Sequence, residues 1–428
     1  MAITRRELLR AGVAGGLAWT SFGALERAAA GMIGRTRRTA RVATGDSVLV
    51  VVNLMGGNDG LNTVVPLRQY ARYRDLRPTL GLARQRLLPL TGLEQDFAFN
   101  PAMSPLSRLF TQGKLAVIPG AGCPPDAQGL FDHEASAQNF LTGTTYGSAP
   151  PSTPSGWVGR FLDGLAPAAL PAGISFSNAP LLLTGVTSSP LAIYALSGFG
   201  VYPTDDSEAR YSAYEKLQHG APVTGVGERN RQLREQVLLL GGDLQAISAS
   251  YAVADGVRYP DTYLASSLRD CAALIAAHRG VRALDVSISG FDTHADEQIG
   301  PPEATAFHES LLSDVSESIA AFQADIEGHG LGDKVLTLVF SEFGRRPVEN
   351  NDLGTDHGFA GPMFAIGTKV HAGVWGDYPD LRDERLVLDG NLDVTTDFRT
   401  VYATILERHL GADPVPILGG EFGRVGFL

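Results

Sequence analysis

Five places in this chain put carboxylates and imidazoles where chemistry could be done: Asp59, Asp132-His133, Asp292-x-His294, Glu342 and Asp356-His357. Three of the nine histidines fall in these motifs. Imidazole and carboxylate together form the ligand set that zinc or manganese takes in hydrolytic sites, with an open position left for water or substrate. Arg345 and Arg346 follow Glu342 in SEFGRR, and guanidinium forks pair with phosphate or sulfate oxygens. Each motif alone is weak, because Asp-x-His and Asn-Asp-Gly stretches are commonly surface turns. Position is what unites them: each follows a segment that reads as a core strand or as the helix entry after one.

Those segments define the scaffold. Residues 335–340 (VLTLVF) are an apolar, β-branched run and lead straight into Glu342. Residues 47–54 (SVLVVVNL) lead into Gly56, Gly57 and Asp59, and 283–289 lead into Asp292 and His294. Near-continuous apolar strands belong to sheets buried on both faces. Further strands are expected at 114–119, 174–177, 191–195 and between 362 and 388. Helices are expected from Ser104 as N-cap, with Pro105 at the first helical position, to about 113. Others are expected over 132–143, 157–165, 207–219, 228–253, 262–278 (capped by Asp261), 305–327 and 397–410. The alternation of strand and helix predicts an α/β fold, a mostly parallel central sheet flanked by helices. Ligands in such sheets sit beyond the carboxyl ends of the strands, which is where the motifs lie.

The bulk properties narrow the function classes. A chain of 428 residues with 44% hydrophobic and 19% charged residues can bury a large core. A formal charge of −11 supplies no basic surface and argues against nucleic-acid binding. Residues 1–30 read as a twin-arginine (Tat) signal: Arg5-Arg6, a mildly apolar run from 11 to 25, and Ala28-Ala29-Ala30 as the cleavage site. Residues 31–45 read as a basic linker, and 46–428 as one domain with a cap or insertion around 144–225. These features imply a partner, the Tat translocase, during export, and a periplasmic or extracellular location. No later run reaches the ~20 apolar residues of a transmembrane helix. Cys123 and Cys271 are too few and too far apart to define a disulfide framework or a zinc site. The oligomeric state is not legible.

Several stretches together carry a resemblance: GGNDGLNTVVPL at 56–67, FDTHAD at 291–296, SEFGR at 341–345, GTDHG at 354–358 and TDFRTVYATILERHLG at 396–411. They resemble the bacterial family called domain of unknown function 1501, which is placed with the alkaline phosphatases and sulfatases. The segment DHEASAQNFLTG at 132–143 is similar to the alkaline phosphatase helix that carries the nucleophile in its second position. The resemblance implies an alkaline phosphatase-like fold holding one or two divalent metal ions, zinc or manganese. It implies that Asp292, His294 and His357 hold one metal and that Glu342 with Asp59 holds a second or orients the first; Asp356, beside His357, is a further candidate for the metal or orients its neighbour. His133 stands at the nucleophile position, where the superfamily carries Ser or Thr, and Phe343 replaces a histidine. His133 is therefore open as a ligand, as a base for water or as a nucleophile.

The function expected from this reading is an exported metal-dependent hydrolase of a small anionic substrate, a phosphate or sulfate ester, with His133 and Arg345 in catalysis. The alternative is a non-catalytic exported binding or assembly protein with a degenerate site. A Ser-His-Asp hydrolase is a distant third, because no G-x-S-x-G elbow occurs.

Overall fold

In a computed structural model the described residues are 46–90, 97–124, 131–145, 154–199 (without 167, 169, 178 and 179), 240–298 and 307–428. The expected signal, the linker, the helix at 207–219 and the parts of the expected cap at 146–153 and 200–225 lie outside them. So does the first part of the helix expected at 228–253, whose described portion is helical over 240–250.

The chain opens with β1 (Val48–Met55), then β2 (Val64–Pro66), α1 (Tyr70–Leu76), β3 (Leu88–Leu90), β4 (Phe97–Phe99), α2 (Ser104–Thr111), β5 (Leu115–Gly122) and α3 (His133–Thr142). It continues through β6 (Gly173–Ser175), β7 (Leu191–Ala192), α4 (Tyr263–Ala276), β8 (Ala283–Ser289), α5 (Phe307–Gly328), β9 (Val335–Phe340), β10 (Gly361–Ile366), β11 (Gly373–Val374), β12 (Thr396–Asp397) and α6 (Phe398–Thr404). The main sheet runs β11-β5-β10-β9-β1-β8-β6-β7, with β12 paired to β5. Every neighbouring pair is parallel except those of β10, which runs antiparallel to both β5 and β9. The expected mostly parallel α/β sheet is present.

The apolar run of β1 is buried on both faces, as its sequence implies. Val48, Val50, Val52 and Leu54 pack with Leu268 of α4 and Val315 and Ile319 of α5. Leu49 and Val51 face the other layer, with Phe140 of α3, Trp157 and Tyr402 of α6. Burying one such side chain contributes roughly 1.5–3 kcal/mol, so these two layers hold the sheet rigid beneath the loops at its edge.

Topology brings the motifs together. Strands β9, β1 and β8 are adjacent and parallel, so Glu342, the Gly56-Gly57 turn and Asp292-x-His294 leave from one edge. The antiparallel β10 folds the chain back beside β9, and the connection between them carries Arg345, Asp356 and His357, with Arg345 and His357 forming a β-bridge. Strand β5 runs parallel to β9 through the shared neighbour β10, and after it the chain reaches α3. Asp132 caps α3 by accepting from the Ala135 amide (2.8 Å), and Gly143 closes it at φ +69°. Two caps differ from expectation. Asn100, not Ser104, caps the turn that begins the α2 segment, and Thr262, not Asp261, caps α4 through the Ala265 amide.

Candidate metal centre

Four side chains converge at this edge: His133 from the start of α3, Asp292 and His294 after β8, and His357 from the β9–β10 connection. The Nε2 atoms of His294 and His357 lie 2.9 Å apart, and each is 3.1 Å from Asp292 Oδ1. His133 Nε2 is 3.4 Å from Asp292 Oδ2. His133, Asp292 and His357 can each offer a ligand atom within 4.8 Å of the others.

The outer nitrogens of the imidazoles face oxygen acceptors. His357 Nδ1 lies 2.7 Å from the Phe131 carbonyl, which can only accept, so Nδ1 carries the hydrogen and Nε2 of the neutral ring is bare. Burial also lowers the His357 pKa, which favours that neutral ring. His133 Nδ1 lies 2.9 Å from Glu342 Oε1, and His294 Nδ1 is 3.5 Å from Asp356 Oδ1. An oxygen on the far nitrogen of an imidazole is the usual way to fix the tautomer of a metal-binding histidine. Two ring nitrogens at 2.9 Å beside a carboxylate oxygen match an N–H···N hydrogen bond in the ion-free site and also the spacing of two ligands to one cation. A tetrahedral ion at ~2.0–2.1 Å from each ligand spreads such atoms only slightly further apart. The donor set therefore fits a divalent ion, with the solvent-facing side of the half-exposed Asp292 and His294 left open.

Charges around the site agree. Burial pushes the Asp292 carboxyl up, but the hydrogen bond and the charge of Arg345 outweigh it and hold the pKa at about 2. The hydrogen bond to Glu342 raises the His133 pKa, and a bound ion would compete with a proton for this ring. Asp356 is held low, first by the hydrogen bond from Asn350.

The remaining sequence candidates occupy other places. Glu342 does not face the His294–His357 gap; its Oε1 accepts from the Gly56 amide (2.8 Å) and His133, so it orients His133. Asp59 is fully buried in an ion pair with Arg77, and with burial opposing, the Arg77 charge holds its pKa at about 2. Expected as a metal ligand, it points instead into the protein, because Arg77 from the turn after α1 reaches back to it. Arg345, expected to meet a substrate anion, is 1% exposed. Its nitrogens donate to the carbonyls of Gly56, Gly57, Phe291 and Thr355 and to Asp292, which ties the Gly56-Gly57 turn to the two loops that bear Asp292, His294 and His357. Arg346 differs: its guanidinium lies 5.8 Å from the centre of the Phe131 ring, and its Nε has no partner. Gly57, at φ +79°, permits Phe343 to pack over the turn, since a Cβ there would sit 2.1 Å from the ring. Phe343 in turn stands 4.9 Å from the His133 ring and 4.6 Å from that of His357.

Sequence reasoning missed Arg77, Glu297 and His308, which form a buried polar cluster with Asp59 beneath the loops. Glu297 follows FDTHAD directly, but no residue spacing marks it as internal. Cys123 and Cys271 are buried and form no disulfide.

Comparisons with known proteins place this geometry in context. Among curated proteins no sequence matches the chain. Solved structures that superpose on it include a protein in the alkaline phosphatase superfamily from Vibrio parahaemolyticus, with 9% identity, 94% of this chain and 77% of that one covered, and a TM-score of 0.40. A sulfatase, PsFucS1, from Pseudoalteromonas sp. covers 95% of this chain and 72% of its own at 11% identity and TM-score 0.37. The lipoteichoic acid synthase LtaP from Listeria monocytogenes covers 81% and 72% at 8% identity and TM-score 0.35. Superpositions this loose carry no functional weight. The family match is firmer and spans residues 205–424, which include the FDTHAD, SEFGR and GTDHG motifs, while GGNDG and the α3 segment lie before it. This chain belongs to the family described as protein of unknown function DUF1501.

Proposed function

We propose that this protein is a metal-dependent hydrolase of an anionic ester, phosphate or sulfate, exported by the twin-arginine route. The observation that carries the reading is the convergence of His133, His294 and His357 on Asp292, with their outer nitrogens turned to oxygen acceptors. A histidine-rich set with one carboxylate favours zinc over manganese. A divalent ion there supplies Lewis acidity to a water or to the ester oxygen. Glu342 and the Phe131 carbonyl orient His133 and His357, and Arg345 holds the Asp292 carboxylate in place. Arg346, which unlike Arg345 is only partly buried, is the cation offered to the substrate's charge. Both nitrogens of His133 face carboxylates, which supports a ligand role over that of nucleophile. Export rests on Arg5-Arg6 and the small-residue stop; among the described residues no helix is long and apolar enough to cross a membrane.

A second reading, a binding protein that keeps the metal site without turnover, draws on Phe343, whose ring closes the side of the site between His133 and His357. Hydrolysis of aryl phosphates and aryl sulfates by protein purified without chelator, with His294→Ala as control, separates the two. Turnover above the control supports the hydrolase; retained metal with no turnover supports the binding protein.

A further inference from the structure

Glu297 lies outside the converging ligands, yet it is fully buried and its carboxyl joins three loops. Its Oε1 accepts from Asn62 Nδ2 (3.0 Å), in the segment after β1. Its Oε2 accepts from the hydroxyls of Thr293 (3.0 Å) and Thr355 (3.1 Å). Thr293 stands between Asp292 and His294, and Thr355 directly precedes Asp356 and His357. The same two loops are zipped by the Thr355 amide on the Thr293 carbonyl (3.0 Å) and the Glu297 amide on the Leu353 carbonyl (3.0 Å). The Glu297 carboxyl also meets Asp59. Asp59 is held by Arg77, which in turn donates to the carbonyls of Arg346 and Pro347. The cluster is thus anchored to the chain just after Arg345. Buried hydroxyls and carboxyls are retained only when satisfied in this way.

We propose that Glu297 is a positioning residue that clamps the loop bearing Asp292 and His294 to the loop bearing His357, and so sets the spacing of the metal ligands. This rests on the metal-centre reading above. Glu297→Ala removes the acceptor for both threonines but also empties a fully buried position and puts the fold itself at risk; the double variant Thr293→Val/Thr355→Val removes the same bonds while keeping size and shape. Zinc affinity by chelator competition and amide hydrogen exchange are measured on the full chain. The double variant is expected to bind zinc on the order of tenfold more weakly than wild type, as loss of outer-shell support does. Exchange is expected to speed up at 293–297 and 353–357 while the sheet stays protected. Glu297→Gln keeps an acceptor oxygen for both hydroxyls and is expected to recover most of the affinity. Wild-type zinc affinity with unchanged exchange in the double variant overturns the clamp. A wild-type protein that binds no zinc overturns the metal reading instead, and exchange at the two loops then decides the clamp alone.

Discussion

His294 and His357 meet nitrogen to nitrogen, Nε2 to Nε2 at 2.9 Å, across the carboxylate of Asp292. One ring follows β8 and the other ends a connection that leaves β9, so nothing local holds them there. The pair exists because parallel β1 sits between β8 and β9 and because Arg345 binds the loops beyond all three strands. This sheet edge gathers the imidazoles around Asp292 while burying the Arg345 guanidinium, the arrangement on which the proposed cation site rests.

The placement of Asp59 separates stability from metal binding. Asp59→Asn leaves the fully buried Arg77 without its counter-charge, which costs roughly 3–5 kcal/mol of folding stability. Metal content per folded chain is expected to stay at the wild-type level. Denaturant unfolding together with metal analysis checks this, and loss of metal without loss of stability would restore Asp59 as a ligand.

Arg345 is expected to behave as a structural tie. Arg345→Lys cannot supply the planar fork that reaches four carbonyls and Asp292 at once. Stability is expected to fall by roughly 2–4 kcal/mol, since each buried carbonyl left without a donor costs about 1–3 kcal/mol. Turnover should fall through kcat as the site loosens. A variant of wild-type stability that raises KM alone would show instead that the guanidinium binds substrate.

Much of this arrangement is legible in the sequence. Strands 283–289 and 335–340 and the helix from Asp132 to Gly143 announce themselves through β-branched runs, an Asp N-cap and a closing glycine. Asp292, His294 and His357 were legible as candidates because each follows a core strand in the sequence or in the turn-rich connection after one. Asp59 shows where such reading ends: its GGNDG turn looks like a site, and only the tertiary path that brings Arg77 to it decides otherwise. Ser104 looked like a cap because Pro105 follows it, yet Asn100 and Pro101 make the same signal one turn earlier. Glu297 could not be found, since an acidic residue in a polar loop reads as solvated until its two threonine donors are seen.

A pH dependence separate from the site comes from Asp285 in β8, buried against Ser175 and Ser177 (3.0 and 2.8 Å). Burial raises its carboxyl pKa from 3.8 to about 6. A carboxyl raised in the folded state favours folding when protonated, so its contribution is full below pH 3.8 and is lost as pH rises through about 6. Asp285→Asn keeps an acceptor for the serines and is expected to be the more stable protein at pH 7, by roughly 3 kcal/mol on the 1.36 kcal/mol per pKa unit scale. The advantage should shrink toward pH 4. Unfolding of both proteins across that range tests it, and a difference independent of pH would contradict the assignment.

The central claim is that His133, Asp292, His294 and His357 hold a divalent ion. Its most direct test is the metal content of wild type and of a folded His294→Ala/His357→Ala variant, both purified without chelator. The account predicts stoichiometric zinc or manganese in the wild type and none in the variant. A wild type without metal, or a variant that retains the full wild-type content, would contradict it.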